Sequence, residues 1–598
     1  MKINLLPLSV SILFIITTSC QDELLKKATR IAKQYPSLMD VLNFSTDNPD
    51  YTRAACFIVA NTPEKERKLL NCDSLVQSIH TSIEVWKKVP WHSNYSQDDF
   101  FEYVLPYRIA DEPLEYYWKW DYPQKLHVRT NSANLNTIAQ EINRKIQINT
   151  LMGTLGSSRK SYSSLIQGSF GKCDDRAVLT TMAMRSYGIP AAFEYIPYWG
   201  NSNSGHSFSS VIEANGELLT FQSPTDIGEH EPFVHKTPKV YRRMFSLQTD
   251  SPLYKYREAE SIPSFFADFQ QKDVTNSHPV RTRDVKIYIH DTEHKLAYLS
   301  VFSPDNWLPI AYAENKKGEV TFSNVGTGTE VYNENFYFDT THIEPGILYL
   351  PSLYIDNEIY PVGRPIIVSD YQIKEIISNP TITESVTLYR KYPLSKRIID
   401  FASEMQGGIF EGANRKDFTD AVELYYVNDI PLPRMQKISI SSPRKFKYFR
   451  YRKPKGTFSL SEIRALSAFG NTIHGELIHS EVLNEFPEIK SLVDNDCLSY
   501  FTLSQGIDIW VGIAFEQPET ISAIEFCPRT DDNDISPGDQ YELFYWHDEW
   551  LSLGSRRAED YQLTFDNVPQ GALLWLRDFT KGKEERPFTI DNGTQKWW

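Results

Sequence analysis

Gly171-Lys172-Cys173-Asp174-Asp175-Arg176 runs into an apolar stretch that closes on Arg185-Ser186-Tyr187-Gly188-Ile189-Pro190, and a Gly205-His206 pair follows. The apolar stretch from Ala177 to Ser186 predicts a helix, with Cys173 at its opening. Glycine just past the last turn and proline after it are the expected stop. Ala191–Ile196 then predicts a strand. Ser202 to Gly205 is a loop, and the alternation from His206 to Ile212 predicts a second strand with His206 at its start. Asn215-Gly216 is a strong hairpin signal, and Leu218-Leu219-Thr220-Phe221 is the returning strand.

Unpaired backbone N–H groups and the positive end of the helix dipole favour a thiolate at a helix start, and a histidine on a neighbouring strand can take its proton. Cys173 and His206 are therefore the candidate nucleophile and base. Asp174 and Asp175 suit a helix N-terminus but oppose thiolate formation, so His206 must do much of the activating. These residues resemble the transglutaminase-like superfamily, in which an aspartate past the hairpin orients the imidazole; counting from Gly216 puts Gln222 at that place, and aligning on Pro224 points to Ser223 instead. Asp226 is the nearest carboxylate, three or four residues off that place. A neutral amide can accept an imidazole N–H. Gln167 lies six residues before Cys173, a spacing that resembles the oxyanion-hole glutamine of papain-like proteases, and the resemblance implies an oxyanion donor acting with the Cys173 backbone N–H.

The G-x-C helix start, the R-x-x-G-I-P helix end and the histidine strand, from about Tyr162 to Asp226, resemble the core of the transglutaminase-like superfamily, which shares the papain-like cysteine protease fold. The resemblance implies an α+β core and acyl-transfer chemistry at a thiol. Phe208 stands where that family usually has tryptophan, and the orienting aspartate is missing from its usual place. Hydrolysis of peptide or amide bonds in proteins or glycoproteins is the activity it implies. The alternative is an inactive core serving as scaffold in a surface glycan- or protein-binding lipoprotein.

At 598 residues the chain is too long for one core, and about 100 to 200 residues per domain predicts three to five. Aromatic residues make up 13 %, which suits β-rich modules and sugar-facing surfaces. A net charge of −15, with no long basic stripe, argues against nucleic acid as a partner. Cys173 and His206 have no CxxC or HExxH context, so neither zinc nor any other cofactor is expected. Asp531-Asp532-Asn533-Asp534 with Asp539 is rich in oxygen ligands but lacks EF-hand spacing.

Lys2, the apolar run Leu5–Ile16 and Thr17-Thr18-Ser19 before Cys20 resemble a bacterial lipoprotein signal, which implies lipidation at Cys20. Gln21-Asp22-Glu23 resembles the acidic export tag of Bacteroides surface lipoproteins. A lipid-anchored protein of the cell envelope, at the outer membrane or cell surface, is the expectation. Cys56 with Cys72, and Cys497 with Cys527, are pairs by position, which leaves Cys173 over.

The whole reads as a multidomain α+β chain. A signal at 1–19 precedes a helical region at 20–150, with Arg108 and Glu112 as an expected buried ion pair. A transglutaminase-like core at 151–270 and a β-sandwich at 280–375 follow, the latter from period-two strands. Asp420–Tyr426 resembles Asp539–Tyr545, each followed by an aromatic strand, Tyr448–Tyr451 and Leu574–Arg577. This predicts two related β-modules, 380–470 and 471–598. The second resembles a discoidin-like, galactose-binding-like domain, which implies a glycan, lipid or protein ligand.

Overall fold

The computed structural model describes residues 23–44, 48–129, 134–150, 158–226, 228, 233, 235–328, 345–581 and 584–598. Cys20 and the expected signal lie outside them. Among the described residues no helix is long and apolar enough to cross a membrane. The chain divides into two units, one of residues 1–331 and 345–375, the other of 332–344 and 376–598.

The first unit opens with helices. Residues 23–32, α1 (Pro49–Asn61) and α2 (Cys72–Lys88) pack around Leu38, Tyr51, Ile58, Leu75 and Ile79. The helical spacing of Leu75, Ile79 and Ile83 faces that core, and Asn71 caps α2 by accepting the Ser74 N–H at 2.9 Å. Next come α3 (Trp118–Leu126), α4 (Leu135–Lys145), α5 (Tyr162–Gly168) and α6 (Cys173–Ser186).

Every residue of α6 from Asp175 to Ser186 is buried. Helices α3 and α4 cover one side, and a five-stranded antiparallel sheet covers the other. The sheet is β1 (Ala191–Ile196), β2 (His206–Ile212), β3 (Leu218–Phe221), β4 (Tyr241–Arg243) and β5 (Gln271–Asp273), in the order β3-β2-β1-β4-β5. Trp118, Tyr122 and Ile138 from the helical region share one apolar cluster with Val178, Met182, Phe193 and Val211. The helical region and the core thus have a common interior across the boundary expected at 150.

The expected Arg108–Glu112 pair does not form. Arg108 pairs with Glu66, and the Glu112 carboxylate instead accepts the N–H groups of Ile109 and Ala110 at 2.7 and 2.8 Å. Turn geometry accounts for this, because those two N–H groups need an acceptor once buried.

Among the described residues, seven strands between Thr282 and Glu375 hydrogen-bond in one continuous path, and an eighth, Glu358–Pro361, pairs off it with Ile347–Ile355, around a core of Val285, Leu299, Ile310, Phe322, Tyr349 and Val368. They account for the period-two signal of the sequence.

In the second unit, Gln436–Leu460 and Phe501–Cys527 pair along almost their whole length, with Glu462–Leu466 and Gly475–His479 added to the latter. The expected boundary at 470 runs through this sheet. Asn379–Leu388 belongs elsewhere: it pairs with Leu563–Gln570 and packs on Tyr541, Leu543 and Phe588. The module of residues 396–527 is therefore nested inside a module built from both ends of the unit.

The suspected repeat differs in strand order. Leu574–Asp578 pairs directly with Gln540–Trp546, whereas Ile409–Ala413 separates Val422–Tyr426 from the strand holding Tyr448–Tyr451. The acidic loop is neutralised by cations, Arg390 on Asp531 and Asp534, and Lys581 on Asp532 and Asp539. All five described cysteines are free thiols, Cys497 and Cys527 being hydrogen-bonded to each other.

Candidate active site

The glycines of the opening motif are set by close approach. A Cβ on Gly171 would stand 2.8 Å from the Asp175 Cβ. Gly171 thus lets the Asp175 carboxylate fold back to accept the Lys172 N–H at 3.0 Å and the Lys160 N–H at 2.8 Å, which fixes the start of α6. A Cβ on Gly205 would lie 2.3 Å from the Pro197 carbonyl oxygen, so only glycine lets the chain turn back onto β1 just before His206. Gly188 holds φ at +69°, and its N–H bonds the Arg185 carbonyl at 3.0 Å while that of Ile189 bonds Met184 at 3.0 Å. This αL stop ends α6 and sends the chain into β1.

The two elements carrying the chemistry meet at Ser207 and Asp174. Cys173 is half-buried, and backbone groups of Ser207, Asp174 and Cys173 hydrogen-bond its sulfur. The Ser207 hydroxyl donates to Asp174 Oδ1, which also lies 3.9 Å from Cys173 Sγ. Ser207 follows His206, so β2 brings its first residue to the N-terminus of α6. Arg159 links the cluster outward, pairing with Asp111 and lying 3.5 Å from Asp174 Oδ2, with its guanidinium 5.0 Å from the Phe193 ring centroid.

Aromatic rings hold His206. Trp199 stacks on one side at 6.0 Å between centroids, and Phe208 lies 5.9 Å away at 28°. Of the two orienting candidates, the Gln222 side chain hydrogen-bonds the imidazole. Asp226 sits behind it: its carboxylate accepts the Gln222 N–H at 2.5 Å and the Ser223 N–H at 2.7 Å, and also the Ser223 hydroxyl. Asn143 of α4 clamps the same turn by donating to the Ser223 and Asp226 carbonyls at 2.9 and 3.3 Å. Gln167 is exposed on α5, and among the described residues its side chain enters none of these hydrogen bonds.

The charges of the resting site follow. Burial, then the neighbouring Asp174 carboxylate, push the Cys173 thiol up, against the backbone donors that stabilise its anion. Burial pulls the His206 imidazolium down, against the Gln222 hydrogen bond and the charges of Asp174 and Asp226. Thiol and imidazole are thus both favoured in their neutral forms at pH 7.

Arg159, Ser207 and Trp199 are the parts of this site that the sequence motif does not contain. Their only sequence signal is adjacency: Ser207 and Trp199 flank the histidine loop, and nothing local marks Arg159.

Beneath the sheet lies a second polar cluster. Arg242 bonds the buried Glu194 carboxylate at 2.7 Å, His278 Nε2 lies 3.0 Å from it, and the Ser210 hydroxyl donates to it. It ties β1, β2 and β4 together under the site.

Neither a family model nor a curated protein sequence matches the chain. Among solved structures, a presumed cysteine protease of Cytophaga hutchinsonii is similar at 19 % identity and a TM-score of 0.18, over 25 % of this chain and 48 % of that one. This chain therefore spans about half the length of that protein. Red sea bream transglutaminase is similar at 8 % identity and a TM-score of 0.15, over 84 % of this chain and 71 % of that one. The chemistry rests on the site's own residues and not on these likenesses.

Proposed function

We propose that Cys173, His206 and Gln222 form the catalytic centre of a transglutaminase-like thiol enzyme that hydrolyses peptide or amide bonds in proteins or glycoproteins. In this reading the protein is anchored to the cell envelope by lipid at Cys20 and targeted by its galactose-binding-like C-terminal modules. The observation that carries it is the pair of hydrogen bonds at the meeting of α6 and β2, Ser207 backbone to the Cys173 sulfur and Gln222 to the His206 imidazole.

His206 takes the thiol proton as Sγ attacks the carbonyl carbon, and the imidazolium gives that proton to the leaving amine. The N–H of Cys173 at the helix start faces the developing oxyanion, with Gln167 as a second donor once substrate is bound. Water, deprotonated by His206, resolves the thioester and frees the carboxylate. Gln222 holds the ring in the tautomer that leaves its other nitrogen toward the sulfur.

The test is mass spectrometry of a mixed protein digest incubated with the wild type and with Cys173→Ala. Cleavage by the wild type alone is expected, and His206→Ala should cost about 10²- to 10⁴-fold. Equal product patterns from wild type and Cys173→Ala sink the reading.

A second reading, a binding lipoprotein with an inert core, draws on one cavity. In the second unit about 1070 Å³ of space is lined by Tyr448, Asn471, His474, Glu476 and Gln517, a mix of ring and hydrogen-bonding groups suited to a sugar. A glycan array probed with the full chain, and with Tyr448→Ala and His474→Ala together, tests it. Loss of a specific signal in the double variant is expected, and an unchanged signal removes this site.

A further inference from the structure

The loop between β1 and β2 carries two adjacent rings with different duties. Trp199 stacks on His206, while its neighbour Tyr198 lines a separate groove of about 450 Å³. That volume is in the range of small-ligand and side-chain pockets. Phe265, Trp307 and Tyr354 form its other rings, and Pro263 and Pro309, both buried, complete the walls.

These rings are braced from behind. Phe265 lies 6.0 Å from Tyr195, 5.7 Å from Tyr241 and 4.8 Å from Phe266, and Trp307 lies edge-on to Phe302 at 5.5 Å. Side chains fixed in this way lose little entropy when an occupant enters.

Ser264, Asn306, Asn357 and Glu358 are the exposed polar residues of the groove, and Tyr198 and Tyr354 bring hydroxyls to it as well. No Lys, Arg or His lines the groove, and Glu358 is its one carboxylate. It therefore disfavours anionic occupants and suits a bulky apolar side chain with a cationic neighbour.

We infer that this groove is a substrate subsite which takes an extended polypeptide by an aromatic or large aliphatic side chain, with a basic residue beside it toward Glu358. The inference rests on the thiol-hydrolase reading of Cys173, since Tyr198 of the groove is the chain neighbour of Trp199, which stacks on His206. Extended peptides present side chains to pockets of this kind while their backbone passes over the rim.

The experiment uses the full chain carrying Cys173→Ala and fluorescein-labelled decapeptides with Phe, Leu, Gly or Asp at the centre, each flanked by Lys. Phe and Leu peptides should bind about tenfold or more tighter than Gly and Asp peptides. Phe265→Ala and Tyr354→Ala should each erase that preference, with the melting temperature recorded as a check on folding. Glu358→Lys, at an exposed position, keeps the test open if a ring variant misfolds, and should weaken the Lys-flanked Phe peptide.

Equal binding of all four peptides, a preference that survives the ring variants, or no effect of Glu358→Lys overturns the inference. Capture on a glycan array that Phe265→Ala abolishes, with flat peptide binding, assigns the groove to sugars and overturns it too. The two readings separate cleanly. Ring-dependent peptide binding without cleavage by the wild type removes the thiol enzyme alone, and cleavage whose KM ignores Phe265→Ala removes the groove alone.

Discussion

Asp174 sets the electrostatics around Cys173. It accepts from Ser207, approaches Arg159 and sits against the sulfur, so the carboxylate that holds the site together also opposes the thiolate. With the thiol pushed up by burial and by Asp174, the rate of alkylation by iodoacetamide should be low at mildly acidic pH and still rising above the ordinary thiol range. Asp174→Asn should move that profile toward lower pH, and a profile that stays put shows that burial alone governs the sulfur. Arg108 makes the second prediction at this scale. Its guanidinium is buried on Glu66 and pulled down to about 10 by that burial, so Arg108→Ala should cost about 3–5 kcal/mol, read from denaturant midpoints.

Short-range signals made the elements of the core legible. Gly188-Ile189-Pro190 marks the end of α6, Asn215-Gly216 marks a hairpin, and the alternation after His206 marks β2, all because turn and cap chemistry acts over three or four residues. Partners brought in from afar were not legible. Arg108 chose Glu66 over the nearby Glu112, and Arg159 reached Asp174, through packing that no local pattern encodes. The glycine before His206 offers a test at this scale. Gly205→Ala must push the loop off the Pro197 carbonyl and carry Trp199 with it, so it should slow both alkylation of Cys173 and any peptide cleavage by at least about tenfold. A variant with wild-type rates would show that the loop yields without disturbing His206.

Across the first unit, the buried Glu194 couples the sheet to pH. Burial pushes its carboxyl up, but Arg242, His278 and Ser210 outweigh that and hold it at about 2, from an ordinary 4.5. A carboxyl depressed in the fold stabilises fully above its unfolded value and loses that contribution as pH falls from 4.5 toward 2. The size is on the order of 3 kcal/mol. Glu194→Gln should flatten the acid limb of the melting profile while lowering stability at neutral pH, because Arg242 is left buried without its carboxylate. An acid limb as steep as the wild type's places the proton uptake elsewhere.

The nested plan of the second unit also governs how that unit can be made. Thr387 and Thr564 hydrogen-bond across 177 residues, and the strands from Gln540 to Trp597 complete the same module. During synthesis the strand Asn379–Leu388 must wait, unpaired, while the whole inner module emerges and folds, and it finds its partner only once Leu563–Gln570 has been made. A ribosome stalled, or a chain clipped, anywhere after Cys527 and before Leu563 would release the inner module finished and leave the outer one with an open edge, a ready template for another chain.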